Sequence, residues 1–176
     1  MHNDNKSVFI NGDALWLMYL FLKKDLPEHQ KEMREFIQLA DQYRDGTKIW
    51  KVSNRGEINS RKITFSELKS FIFHGLSYYG NFKTDDVMGK EFTMKDSFVF
   101  VCNDELLFYG LIDGEFVKVL CLEHARQLND LTIEKAIDVL LKFAQYNLML
   151  ADWRSKDIVD LANKQDVIRY LNKLKK

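Results

Sequence analysis

The stretch Ser97–Leu122, SFVFVCNDELLFYGLIDGEFVKVLCL, decides the fold. Asn103-Asp104 and Asp113-Gly114 cut it into three short runs rich in Val, Phe and Leu. This is the pattern of an antiparallel meander, because such dipeptides accept the positive φ of tight hairpins. Read as two-residue turns, they set a register in which Val101 faces Leu106 and Cys121, and Val99 faces Phe108 and Val119. Phe98, Phe100, Cys102, Leu107, Tyr109 and Leu120 then share the opposite face, so Cys102 and Cys121 point apart and a disulfide between them is excluded. Both faces are apolar. A sheet with one wet side alternates, so this one is expected to be covered on both sides, by helices or by another subunit.

Toward the C-terminus, Thr132 reads as the cap of a helix reaching about Ala151, with Ile133, Ala136, Ile137, Leu140, Phe143 and Leu148 on its main stripe. Ser155 reads as the cap of a last helix, with Ile158, Leu161, Ala162, Ile168 and Leu171 buried. A break near Lys164-Gln165-Asp166 would instead give a helix-turn-helix presenting Arg169, Lys173, Lys175 and Lys176, but the stripe runs through without a glycine and favours one helix.

Toward the N-terminus, residues 81–96 show no period and read as the longest loop, the expected mobile element. Thr64-Phe65-Ser66-Glu67 opens a short helix ended by Gly80, and residues 47–63 alternate around Asn54-Arg55-Gly56 as a β-hairpin. Asp25-Leu26-Pro27-Glu28 opens a helix with Met33, Phe36, Ile37, Ala40 and Tyr43 on one stripe, stopping at Gly46. Asp13 caps a first helix to about Lys24, apolar nearly all round. The expected architecture is therefore α+β: an antiparallel meander plus a β-hairpin, covered by about five helices in a single compact domain spanning residues 1–176. Its parts are a helical N-terminal region 13–45, hairpin 47–63, helix 65–79, loop 81–96, meander 97–122 and a C-terminal helical pair 132–175.

Composition agrees with a packed domain. Hydrophobic residues are 46% of the chain, with 13 Phe and one Pro, which excludes disorder and low complexity. Two cysteines inside apolar runs suit a reducing, cytoplasmic setting. The nine-residue run Ala14–Leu22 is too short to cross a membrane, and its flanks do not fit a signal peptide.

Motifs that carry chemistry are sparse. No glycine pattern cradles a phosphate, so no nucleotide cofactor is expected; Gly89-Lys90 is followed by Glu91 where Ser or Thr is needed. Gly75-Leu76-Ser77-Tyr78-Tyr79-Gly80 misses a nucleophile elbow by one residue. Cys121-Leu122-Glu123-His124 lacks the further ligands a metal would need, and Asp113, Glu115 and Lys118 have the wrong spacing for a nuclease centre. No catalytic residue, metal ligand or cofactor is assigned. An enzyme, were there one, would use Glu67 and His74 beneath loop 81–96.

Charge is segregated even though 26 basic and 26 acidic side chains cancel. Residues 43–84 hold eight basic and three acidic residues, and 85–134 hold four and eleven. Lys48, Trp50, Lys51, Arg55, Arg61 and Lys62 interleave rings with bases, the composition of a surface for single-stranded nucleic acid; pairing of these bases with the acidic segment is the simpler reading. The leading expectation is a non-enzymatic binding protein acting through protein–protein contact, in a homodimer or on another partner, with Trp16, Trp50, Tyr78, Tyr79 and Trp153 as anchors.

Overall fold

The computed structural model describes residues 8–12, 17–42, 56–86, 88–124 and 127–175. Its centre is a seven-stranded sheet in the order β2-β5-β6-β7-β1-β8-β9, with every neighbouring pair antiparallel. The strands are β1 (Met18–Leu22), β2 (Ser77–Gly80), β5 (Ser97–Cys102), β6 (Leu106–Asp113), β7 (Phe116–His124), β8 (Leu148–Asp152) and β9 (Asp157–Asp160). A second sheet pairs β3 (Lys83–Asp85) with β4 (Glu91–Thr93). The α-helices are α1 (Leu26–Gln42), α2 (Phe65–Glu67), α3 (Asp130–Lys142) and α4 (Lys164–Lys173). Among the described residues four α-helices stand where about five were expected.

The meander exists as β5–β6–β7, and both of its faces are covered within the chain. On one face, Phe98, Phe100, Phe108 and Leu120 pack with Leu68 and Ile72 beyond α2, Ala136 and Leu140 of α3, and Val167 and Leu171 of α4. On the other, Val99, Tyr109, Cys121 and Phe21 pack with Met33 of α1, Phe82 and Trp153. Cys102 and Cys121 are buried in opposite layers as free thiols.

The register differs from the expected one by a residue at the first turn. Asn103 (φ 51°) and Asp104 (φ 58°) do make a left-handed turn, and the Glu105 amide donates to Cys102 O at 3.1 Å. Glu105 is then extruded, its carboxylate accepting from the Asn129 amide at 2.9 Å before α3, and pairing resumes at Cys102↔Leu106. A one-residue slip turns a whole strand over. Leu106 and Phe108 therefore share the face of Phe98, while Leu107 and Tyr109 face the other way. At the second turn, Asp113 pairs Phe116 and a bulge opposite Leu111–Ile112 frees Lys118 O to accept from Ile58 N at 2.8 Å.

Four segments expected as helix are strands. The helix expected over 65–79 keeps only its first turns, and after Gly75 its end, Ser77–Gly80, is β2. Met18–Leu22, from the apolar run, is β1 in the middle of the sheet: Met18, Leu20 and Leu22 face one layer, Tyr19 and Phe21 the other. The helix expected from Thr132 to Ala151 ends earlier. Asn129, not Thr132, is its cap, accepting from Thr132 N, and after a 3-10 turn at Phe143–Tyr146 the left-handed Asn147 (φ 56°) starts β8. The last expected helix is β9 followed by α4, capped by Asn163 instead of Ser155. Neither the continuous helix nor the helix-turn-helix is what forms.

Residues 47–55 of the expected hairpin lie outside the described residues. Its second arm is no strand: a 3-10 turn at Asn59–Arg61 is followed by a bridge of Thr64 to Phe116 along β7. The stretch 81–96 forms the β3–β4 ribbon, with Val8–Ile10 alongside β3. Among the described residues, no helix is long and apolar enough to cross a membrane.

Candidate functional site

The segment after Thr64 builds an unusual turn. Thr64 Oγ1 accepts from the Glu67 amide at 3.1 Å, so the expected cap is present. The chain then widens into a π-turn over Leu68–Ile72, where the Phe73 amide reaches back five residues to Leu68 O at 2.8 Å. The sequence asks for this, because Leu68, Ile72 and Phe73 are buried while Lys69, Ser70 and Phe71 are exposed. Five-residue spacing stacks Phe73 beneath Leu68, which a 3.6-residue turn would not. Lys142 of α3 satisfies the carbonyls left at the end of the turn, donating to Phe71 O at 3.0 Å and Ile72 O at 3.2 Å. Its ammonium also lies 5.4 Å from the Phe71 ring, and Lys69 sits 4.6 Å over the Tyr78 ring.

Gly75 (φ 83°) then turns the chain into β2, and a cleft of about 180 Å³ opens there. It is lined by Gly75, Leu76, Ser77, Val101–Asp104 and Lys135 of α3. Nothing lies within 4 Å of where a Gly75 Cβ would project, so the floor is open. Lys135 Nζ donates to Asn103 Oδ1 at 3.1 Å, and Asn103 Nδ2 donates to the hydroxyl of the fully buried Thr132 at 3.3 Å. The amide and the ammonium are thus both held in place. Burial pushes the Cys102 thiol up, with Lys135 pulling it down and Glu105 raising it. The cleft is smaller than the roughly 300–1,000 Å³ of small-molecule sites, and suits one side chain or small anion.

Two exposed apolar groups precede cleft residues by four positions, Phe71 before Gly75 and Leu131 before Lys135. Phe71 is 52% exposed beside Lys142, and Leu131 is 57% exposed one helical turn before Lys135. Ion pairs are spread over the molecule: Lys23 meets Asp160 and Lys173 meets Asp157 near β9, Arg154 meets Glu123, Arg169 meets Asp166 within α4, Lys118 meets Glu57, and Lys175 meets Asp130 at the start of α3. Among the described residues, Lys69, Lys135 and Lys142 rest only on rings, carbonyls and an amide.

The other expected site residues are scattered. Trp16, Lys48, Trp50, Lys51 and Arg55 lie outside the described residues. Arg61 is half-buried and Lys62 exposed. Tyr78 and Tyr79 are half-buried on β2, facing opposite layers. Trp153 is 3% exposed, edge-on to Phe36, a core position. The basic residues of the tail, Arg169, Lys173 and Lys175, are all in the ion pairs above. Glu67 accepts a hydrogen bond from the Tyr146 hydroxyl, which burial and this carboxylate push up to about 12, while His74 is exposed. The ribbon 81–96 packs through Phe82 and Met94 on the opposite layer, so it does not cover Glu67 and His74.

Asp152 was missed in the sequence. Fully buried at the end of β8, it accepts from the Arg154 and Ser155 amides at 2.9 and 3.3 Å, the Ser155 hydroxyl at 2.7 Å and the Tyr170 hydroxyl at 2.8 Å. Burial first, then the Asp152 charge, pushes the Tyr170 hydroxyl up. The signal was the D-x-x-S spacing of Asp152-Trp153-Arg154-Ser155, in which the aspartate caps the turn. With four donors on two oxygens the carboxylate has no capacity for a substrate, so this Asp-Ser-Tyr group is a clamp between β8, β9 and α4. Also unforeseen was His29, buried and stacked 3.8 Å from Phe21, with Nδ1–H donating to Asp25 O at 3.0 Å. Among the described residues no group of His, Cys, Asp and Glu is arranged to hold a metal ion. Set against known proteins, the chain matches no family model, no curated protein and no solved structure.

Proposed function

We propose that this is a non-enzymatic binding protein that acts through protein–protein contact, using the surface formed by the π-turn, the start of β2 and α3. The observation that carries the reading is the exposure of Phe71 and Leu131, each four residues before a residue that lines the cleft, Gly75 and Lys135, with the ammonium of Lys135 held in that cleft. Apolar anchors ringed by unspent charge are how interfaces combine affinity with partner choice. The size of the cleft argues in the same direction, since it takes a protruding side chain more readily than a cofactor.

The test is site-specific photo-cross-linking in the native host. A photoreactive residue at Phe71 or Leu131 should give a discrete adduct, to a second copy or to another protein. The same residue at Lys164, exposed at the start of α4, should give none. Absence of an adduct at Phe71 and Leu131, or equal adducts at all three positions, would overturn the reading.

A further inference from the structure

We infer that the Lys135 cleft is a receptor for a single carboxylate, presented by an acidic side chain of the partner protein. The inference rests on the protein-binding reading above and gives it a chemistry. Lys135 carries three N–H donors and uses one on Asn103 Oδ1, leaving two for an acceptor in the cleft. The side chain is not loose, because the chain of contacts from Thr132 through Asn103 fixes where its ammonium sits. The exposed Ser77 hydroxyl lines the same cleft as a further donor.

Lys135 does not pair with the acidic residue that lines the same cleft. Asp104 lines the cleft, yet Lys135 bonds the neutral Asn103 amide and makes no ion pair among the described residues. Near β9, by contrast, Lys23 meets Asp160 and Lys173 meets Asp157. The Asp104 charge on the rim also selects among anions: it opposes a phosphate dianion more than a carboxylate carrying one charge. The exposed Leu131 and Phe71, each four residues before a cleft residue, favour an acidic residue set between apolar ones over a free ion.

The probe is an N-acetylated, C-amidated peptide with one central glutamate between valines, compared with its glutamine twin and with sodium acetate and sodium phosphate. Each is titrated into the 15N-labelled full chain. The expected result is saturable shifts of the Gly75, Leu76, Ser77, Asn103 and Lys135 amides with the glutamate peptide. Binding should weaken about tenfold or more with the glutamine peptide or with Lys135→Gln, and be kept in Lys135→Arg. Lys135 is exposed, so the variants are expected to fold, and the dispersion of the same spectra checks it. Equal shifts from the glutamate and glutamine peptides, shifts confined to other amides, or tighter binding of phosphate than of the peptide would each overturn the receptor. Cross-linking separates the two levels. A Phe71 adduct that survives Lys135→Gln at full yield removes the carboxylate receptor and leaves the protein-binding reading standing, whereas loss of the adduct in the unsubstituted chain removes that reading itself.

Discussion

Removing the carboxylate of Asp152 should be costly, because four donors share it. Asp152→Ala strands four donors, but they differ in what replaces the lost acceptor. Arg154 and Ser155 are exposed, so their amides and the Ser155 hydroxyl can turn to water at small cost. Tyr170 is 2% exposed and has no such recourse. Its orphaned hydroxyl costs about 1–3 kcal/mol, and the lost bonds to a charged acceptor add to this, for a total of about 3–4 kcal/mol. Tyr170→Phe leaves the carboxylate three donors and should cost only about 1–1.5 kcal/mol. In the double variant nothing is orphaned at Tyr170, so its cost should fall about 1–2 kcal/mol short of the sum of the single ones. Urea titration followed by tryptophan fluorescence, with Trp16 and Trp50 replaced by Phe so that only Trp153 reports, is the assay, since the buried indole lies within the turn that Asp152 organises. At a slope of about 1–3 kcal/mol per molar urea, the alanine variant should move the midpoint by about 1 M or more. A cost for Asp152→Ala below about 1 kcal/mol, or strict additivity in the double variant, would refute the argument that this carboxylate is the common acceptor.

Gly110→Ala should cost about 3 kcal/mol or more in the same titration, because a Cβ there would lie 2.0 Å from Val119 O and 2.8 Å from Phe98 Cζ. Lys142→Met should cost about 1 kcal/mol and speed hydrogen exchange at the Phe73 amide, as the π-turn carbonyls lose their donor. Stability should be flat with respect to tyrosine ionisation below pH 10 and fall above it. Tyr19 is raised to about 12, chiefly by burial, with the nearby Trp153 indole lowering it in part, and Tyr146 is also raised to about 12. Between pH 10 and 12 the unfolded chain therefore loses protons that the folded chain keeps. Thermal melts across that window should show a smaller decline for Tyr19→Phe than for the unsubstituted chain; an identical decline would count against the assignment.

The meander was legible because turn dipeptides and β-branched runs act locally, whereas its register was not. The extra residue, Glu105, is drawn out by an amide at Asn129, and no pattern within the hairpin records that attraction. The central strands were misread for a different reason. Met18–Leu22 and Leu148–Asp152 are buried on both faces, so nearly every position is apolar and a helical stripe can be drawn through either one. The discriminating signals were the stops. Asn147, able to adopt φ 56°, separates Leu148 from the helix before it, and Asp152 begins a turn three residues ahead of Ser155. The Lys135 cleft was beyond any local reading. Its walls come from residues 75–77, 101–104 and 135, and only the antiparallel pairing of β2 with β5, and the crossing of α3 over that end of the sheet, bring them together. The expected charge patch is a run of adjacent residues, whereas Lys69 over the Tyr78 ring and Lys142 on the π-turn carbonyls are brought to that end of the sheet by the fold. Opposite charges far apart in sequence, such as Lys23 with Asp160 and Arg154 with Glu123, meet because the fold sets them side by side, which no count of charge along the chain records.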